Sequence, residues 1–390
     1  MGWQENYDHS LLPVYEPPRL MLVRGKGAYV WDEAGRKYLD LIAGTGVTTL
    51  GHHHPAHIKV VHDFEDGIYY VTNYFASLPK IQLARKFQEI LASEGYVGSQ
   101  ARSFFSTSAD EAMEGALNIA LHLKPGGRMI ALKNSFHGRT HGAAAISEVL
   151  SELEATHTPS FAVTFIDPEV DALNAAMSDD VAAIILEPYQ VAGALRRVQP
   201  EVLQRARDLC DRFDALLIID ESNTGLGRTG RWFVHAKHTK ADVITLSRGV
   251  GSGHPIGATI VLNRKSRQIS PGIGTSPLGG SALACALAMA TITEVESLAD
   301  DARLNGHWLS EELRALGYDV SGQGLLRDIH VNDAKVCVSQ LEALGVLALA
   351  SSPKAVRITP SLIVTQEDLK VFIAAMSELA ELQAPHYQEK

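Results

Sequence analysis

Between residues 100 and 262 one pattern repeats: a short apolar run, a polar or glycine-rich turn, then a helical stretch. The apolar runs are RMIALKN, FAVTFID, VAAIILEP, ALLIIDE, VITLSR and ATIVLN. Short runs with little polar alternation read as strands buried on both faces. Two of the stretches between them, DEAMEGALNIALHL and PEVLQRARDLCDRF, place apolar residues at helical spacing. Strands alternating with helices predict a mostly parallel sheet covered on both sides. Such sheets take ligands beyond the carboxyl ends of their strands. Polar and glycine residues cluster at those ends here, as in SFHGRT, DESNTG and SRGVGSG.

The flanks read differently. Residues 20–40 alternate apolar and polar around the turn DEAGR, which predicts a β-hairpin or meander. Helical spacing recurs over 81–94 and 281–297. Near the end AVRITPSLIV reads as a strand, and Thr365 with Asp368 forms a capping-box-like start to a helix over QEDLKVFIAAMSELAEL. The first fifty residues and the last hundred are expected to pack together. This gives a small domain from 1–50 and 295–390 around a large ligand-binding domain, 51–294.

Bulk properties narrow the function. A net charge of −10 over 390 residues, without a long basic run, gives nucleic-acid binding little electrostatic support. Apolar runs such as ALLIID are too short to span a bilayer. Cys210, Cys285 and Cys337 lie far apart with no CxxC pair, which fits a reducing cytoplasm. Cys285, in an apolar helix, is expected to be core. No metal site is expected: GHHHP holds His52–His54, but adjacent histidines of a regular strand cannot all point at one ion, so a structural role is preferred.

The order of the motifs is more specific than any one of them. RGKGAYVWDEAGRKYLDLIAGTGVTTLGHHHP, FFSTSADEAMEGA, NSFHGRTHGA, ILEPYQVAG, LLIIDESNTGLGRTGRWF, TLSRGVGSGHPIGA, GTSPLGGSALACA and VRITPSLIVT follow one another from about residue 20 to about 370. In order and spacing they resemble the class III (ornithine/acetylornithine/4-aminobutyrate) aminotransferases. The resemblance implies an α/β fold of the aspartate-aminotransferase type, pyridoxal-phosphate fold type I. It also implies a homodimer with its sites between subunits.

Family members use pyridoxal 5′-phosphate as an electron sink for the carbanion formed when an amino acid loses its α-proton. By resemblance, Asp220 matches the carboxylate on the pyridinium nitrogen, Phe136 the ring-stacking aromatic and Asn223 a residue on the 3-hydroxyl side. Ser108 and Ala109 stand at the phosphate cup. Arg139 and Arg357 match positions that hold substrate carboxylates, and Glu187 a glutamate on the substrate side. Arginine suits carboxylates because its planar fork pairs with both oxygens.

Other positions depart from the pattern. Arg248 stands where the family carries its Schiff-base lysine, and a guanidinium stays protonated and is no useful nucleophile. Lys237 and Lys240 precede the strand that delivers residue 248. Asp110 replaces the cup threonine. Its carboxylate would face a phosphate dianion at a cost of about 1 kcal/mol even in a water-like environment, unless it serves as a helix cap. Pro277 replaces a phosphate-binding threonine, and Ala192 replaces the glutamate of the family's QGEGG.

The expectation drawn from these changes is no cofactor, or weak noncovalent pyridoxal or pyridoxamine phosphate, with no covalent internal aldimine. Three readings follow. The first is a lysine-independent enzyme acting on a carboxylate-bearing or amino-acid-derived ligand, with Arg248 and Asp110 as its new catalytic groups, an anion clamp and an acid/base. The second is a non-catalytic subunit that senses a metabolite or partners an active paralogue in a heterodimer. The third, ranked last, is ordinary pyridoxal-phosphate transamination.

Overall fold

The computed structural model describes residues 2–96, 100–150 and 160–383. Near the amino terminus β1 (Leu22–Lys26), β2 (Tyr29–Asp32) and β3 (Lys37–Asp40) form the predicted antiparallel meander. The DEAGR turn closes on itself: Asp32 Oδ1 accepts the Arg36 amide at 2.8 Å. Gly35, at φ +81°, supplies the left-handed residue.

The central sheet is built from β4 (Arg102–Ser106), β5 (Arg128–Leu132), β6 (Val163–Ile166) and β7 (Val181–Leu186). After the small hairpin of β8 (Tyr189–Gln190) and β9 (Arg196–Arg197) come β10 (Leu216–Asp220), β11 (Val243–Leu246) and β12 (Gly257–Val261). Their order is β4-β12-β11-β10-β7-β5-β6. All run parallel except β12, which is antiparallel to β11 and β4. Every residue of β7, β10, β11 and β12 is buried, as strands covered on both faces require.

The carboxyl-terminal strands are β13 (Asp319–Gln323), β14 (Leu326–His330), β15 (Val346–Leu347), β16 (Leu349–Ser352) and β17 (Ala355–Ile358). β15 pairs in parallel with β3, so residues from both ends of the chain share one sheet. The other four form a separate antiparallel sheet.

Two sequence expectations change in extent. The helix read over 281–297 runs from Ala282 to Ala315. At 1.5 Å per residue its 34 residues span about 50 Å. Cys285, Ala288 and Ile292 pack in the core of the central sheet, and Val295, Ala302, Leu309 and Leu313 in the core of the terminal sheets. One amphipathic spacing could not show where the helix passes from one core to the other. The strand read over AVRITPSLIV stops at Ile358, because Pro360 has no amide hydrogen to continue the ladder. The capping box forms as read: Thr365 Oγ1 and Asp368 exchange bonds of 2.7 and 3.1 Å.

Candidate active site

The carboxyl ends of β5, β7, β10 and β11 open on one pocket of about 210 Å³. Phe136, Ala192, Ser222, Asn223, Arg248 and Arg357 are among its lining residues. The sequence-predicted Phe136, Asn223, Arg248 and Arg357 are therefore brought together.

Asp220 ends β10 just under this floor. Its Oδ2 meets His137 Nδ1 at 2.9 Å, and its Oδ1 accepts both Thr245 Oγ1 and the Ser222 amide at 3.0 Å. Burial alone would raise its pKa, but His137 first and then Ser222 hold the carboxyl below its ordinary value. Phe136 lies on the loop after β5, and its amide donates to Glu187 Oε1 at 3.2 Å. Burial, and then the charge of Asp220, push the Glu187 carboxyl well above the usual range, which favours its neutral form. Among the described residues, three buried polar atoms of this cluster have no hydrogen-bond partner: His137 Nε2, Glu187 Oε2 and Ser222 Oγ. Such orphans are uncommon in folded chains and suit a polar ligand.

Ser108, Ala109 and Asp110 do not line the pocket. They start the helix Ala109–Leu123, and Ser108 rather than Asp110 caps it, accepting the Glu111 amide at 3.2 Å. Asp110 instead holds the Phe136 loop, accepting the Arg139 amide on Oδ2 at 2.7 Å. Glu114, one turn on, takes the Gly142 and Ala143 amides at 2.7 and 3.1 Å. Gly257 of β12 passes so close that a Cβ there would lie 2.1 Å from Ser108 O. The exposed Arg139 sets its guanidinium 5.6 Å from the Phe136 ring centre.

Three arginines line the pocket, Arg228, Arg248 and Arg357, and the last two are held differently. Arg357 of β17 stands opposite Asp328 of β14, and both are buried. Its Nε and Nη2 donate to the two Asp328 oxygens at 2.8 and 2.9 Å. Nη1 and Nη2 also donate to Val191 O and Gly193 O at 2.6 and 2.7 Å. With Ala192 on the intervening loop, no glutamate there competes for this guanidinium. Arg248 follows β11 and has one protein acceptor among the described residues, Thr45 O, at 2.9 Å from Nη1. Burial lowers its pKa, with Asp220 opposing the shift, but a guanidinium remains protonated. Thr45 belongs to a left-handed turn in which Ala43, Gly44, Thr45 and Gly46 all have positive φ.

His137, Asp328, Thr45 and Arg228 were missed from sequence. His137 lies inside the quoted motif SFHGRT, and Arg228 inside GRTG. Thr45 lies inside the quoted stretch LIAGTGV, but nothing there shows that it meets Arg248; Asp328 carries no local signal, and only the folded chain sets it beside Arg357. The GHHHP histidines have structural roles: His52 Nε2 meets Asp40 Oδ2 at 2.9 Å, and His54 caps the helix Pro55–Asp63. Cys285 is core, as expected.

A mostly parallel sheet with a buried carboxylate at the end of β10 and an aromatic loop beside it defines an aspartate-aminotransferase-type α/β protein. The chain belongs to the aminotransferase class-III family, whose pattern matches residues 13–379. It is 34% identical to the acetylornithine aminotransferase of Streptomyces coelicolor over 390 residues, covering 95% of this chain and 94% of that one. To the acetylornithine aminotransferase of Mycolicibacterium smegmatis it is 35% identical over 387 residues, covering 96% and 97%. A Toxoplasma gondii ornithine aminotransferase structure, described as having partial occupancy of pyridoxal phosphate at its active site, superposes with a TM-score of 0.89. It is 28% identical, and the match covers 97% of this chain and 93% of that one.

This membership corrects the cofactor expectation. A site with no cofactor, or with weakly held pyridoxal or pyridoxamine phosphate and no covalent link, is not what the family indicates: its aminotransferases depend on pyridoxal phosphate. The expectation gave too much weight to single altered positions, Arg248, Asp110 and Pro277, against a match along nearly the whole chain.

Proposed function

We propose that this chain is a pyridoxal-phosphate aminotransferase of the acetylornithine/ornithine type, acting on an amino-acid-derived, carboxylate-bearing small molecule. The reading ranked last from the motifs alone thus moves to first place. The buried Asp220–His137 pair beneath the Phe136 loop carries it.

The ring-holding residues fit the cofactor. A carboxylate kept below its ordinary pKa suits a protonated pyridine nitrogen, Phe136 offers a flat apolar face, and Ser222 Oγ and Glu187 Oε2 are free to bond. Bound there, pyridoxal phosphate supplies an electron sink for a carbanion. Asp220 would hold the ring nitrogen and His137 would orient Asp220. Glu187, kept neutral by burial, could hold a proton beside the Phe136 loop. The exposed apolar residues Ile68, Tyr69, Tyr74, Phe75, Leu78 and Leu278 support a homodimer. Three buried, unpaired cysteines support a reducing compartment, for which we propose the cytoplasm.

One observation favours a second reading. The wall after β11 is Arg248, and no lysine lines the pocket among the described residues. In that reading the pocket transforms its ligand without a lysine amine, or serves an active paralogue in a heterodimer. Absorbance titration with pyridoxal phosphate, borohydride reduction and peptide mapping separate the two, run beside Arg248→Lys. The first reading expects a reducible link to a lysine of the natural chain and turnover of acetylornithine or ornithine. Turnover that appears only in Arg248→Lys would give the second reading first place.

A further inference from the structure

We propose that Arg248 is the carboxylate receptor of this pocket, in place of Arg357; the inference rests on the reading that the pocket is the active site. Both arginines line it, but they differ in what remains to give. Four of the bonds Arg357 can donate are spent on Asp328, Val191 O and Gly193 O, and its charge is matched by a carboxylate held on two donors. A ligand carboxylate would have to displace Asp328, which is fully buried.

Arg248 is the reverse case. One N–H is fixed on Thr45 O. The other four have no protein acceptor among the described residues, so at least one two-donor edge is open on the pocket. That edge matches the two oxygens of a planar carboxylate. Among the described residues no carboxylate forms an ion pair with Arg248; Asp220, whose charge acts on it, spends its oxygens on His137, Thr245 and Ser222.

The surroundings strengthen the attraction. Arg228 also lines the pocket, buried, donating to Leu325 O and Pro360 O without an acidic partner among the described residues. A Cβ placed on Gly46 would lie 3.7 Å from Arg228 Nε, while the neighbouring Thr45 carbonyl holds Arg248. Two unmatched guanidinium groups thus meet at one left-handed turn. Residues with φ > 0 at Ala43 and Thr45 are costly for side chains of this kind and cluster where geometry serves a site. Here the turn aims the Thr45 carbonyl at Arg248 and fixes the orientation of its fork. The ligand class is a small carboxylate, such as an amino acid or oxo acid.

The test is calorimetric titration of the protein as purified with glutarate, and separately with inorganic phosphate. Glutarate should bind, and Arg248→Met should weaken it at least tenfold with an unchanged melting temperature. Arg139→Gln should weaken it less than threefold. Equal glutarate affinity in Arg248→Met and the natural chain overturns the proposal, as does an absence of glutarate binding. Phosphate binding more tightly than glutarate with the same dependence on Arg248 overturns the carboxylate assignment. Should Arg248→Met fail to fold, Arg248→Gln supplies the same comparison. Uptake of pyridoxal phosphate is read separately by absorbance: if it fails while glutarate still depends on Arg248, the proposed function falls and the carboxylate site stands.

Discussion

The floor of the pocket and its wall are held in opposite ways. On the floor and in the sheet behind it, charged groups are matched by the chain itself: Asp220 has three donors and Arg357 has both oxygens of Asp328. On the wall Arg248 has, among the described residues, one carbonyl, offered by a turn in left-handed backbone. A matched group mainly contributes stability, because removing its partner strands a buried charge. An unmatched group contributes little to the fold and is available to a ligand. Arg357 and Arg248, two of the three arginines of this pocket, therefore divide into a structural copy and a binding copy.

The largest expected effect breaks the structural side. Asp328→Ala leaves Arg357 buried without its counter-charge, and strips acceptors from the Leu195 amide and Ser351 as well. Stability should fall by about 3–5 kcal/mol, read as the shift in urea midpoint at constant slope. Arg248→Met should leave the midpoint within about 0.5 kcal/mol, as substitutions away from matched partners do. If the two variants lose equal stability, the division fails.

Next in size is the floor's response to pH. Glu187 has a folded-state pKa raised by burial, so between its ordinary value and the raised one the folded chain keeps a proton that the unfolded chain has lost. Stability must then fall as pH rises through that window, by up to about 1.4 kcal/mol per pH unit. Glu187→Gln should remove this slope. Asp220 works the other way. Its folded-state pKa is depressed, so its contribution is present above the unfolded value and lost as pH falls through the folded one. Unfolding curves from pH 4 to 8 check the first. An Asp220→Asn chain, compared with the natural one below pH 4, checks the second. A Glu187→Gln curve parallel to the natural one would show that the carboxyl titrates normally.

The same contrast explains what the sequence could tell. The central strands were legible because VAAIIL and LLIID are short apolar runs bounded by polar or glycine-rich turns, too short for a helix buried all round. Asp220 and Phe136 were legible because each sits in a contiguous motif at a strand end. The partners of the charges were not. Asp328 lies 29 residues before Arg357 and meets it only through the register of β14 against β17. Thr45 lies 203 residues before Arg248. Nothing in either local sequence says which arginine will be neutralised, so Arg357 and Arg248 could not be ranked as ligand groups before the fold was in hand. Asp110 illustrates a competing choice: a carboxylate in a first helical turn reads as a cap, but Ser108 takes that place and leaves Asp110 to the Phe136 loop.

The smallest expected effect sharpens the wall. Thr45 combines a β-branched side chain with φ +62°, a conformation that glycine reaches without the clash of Cβ against the backbone. Thr45→Gly keeps the carbonyl that holds Arg248 and removes the strain, though it also gives the unfolded chain more freedom to lose. The two terms nearly offset, and stability should rise by no more than about 1 kcal/mol. Glutarate affinity should fall two- to fivefold, because a looser turn no longer fixes the Arg248 fork before the ligand arrives. Stability and binding would then move in opposite directions in one variant. Such a split is expected where local strain serves orientation. A Thr45→Gly chain that loses stability and keeps full affinity would show instead that the turn is ordinary scaffold.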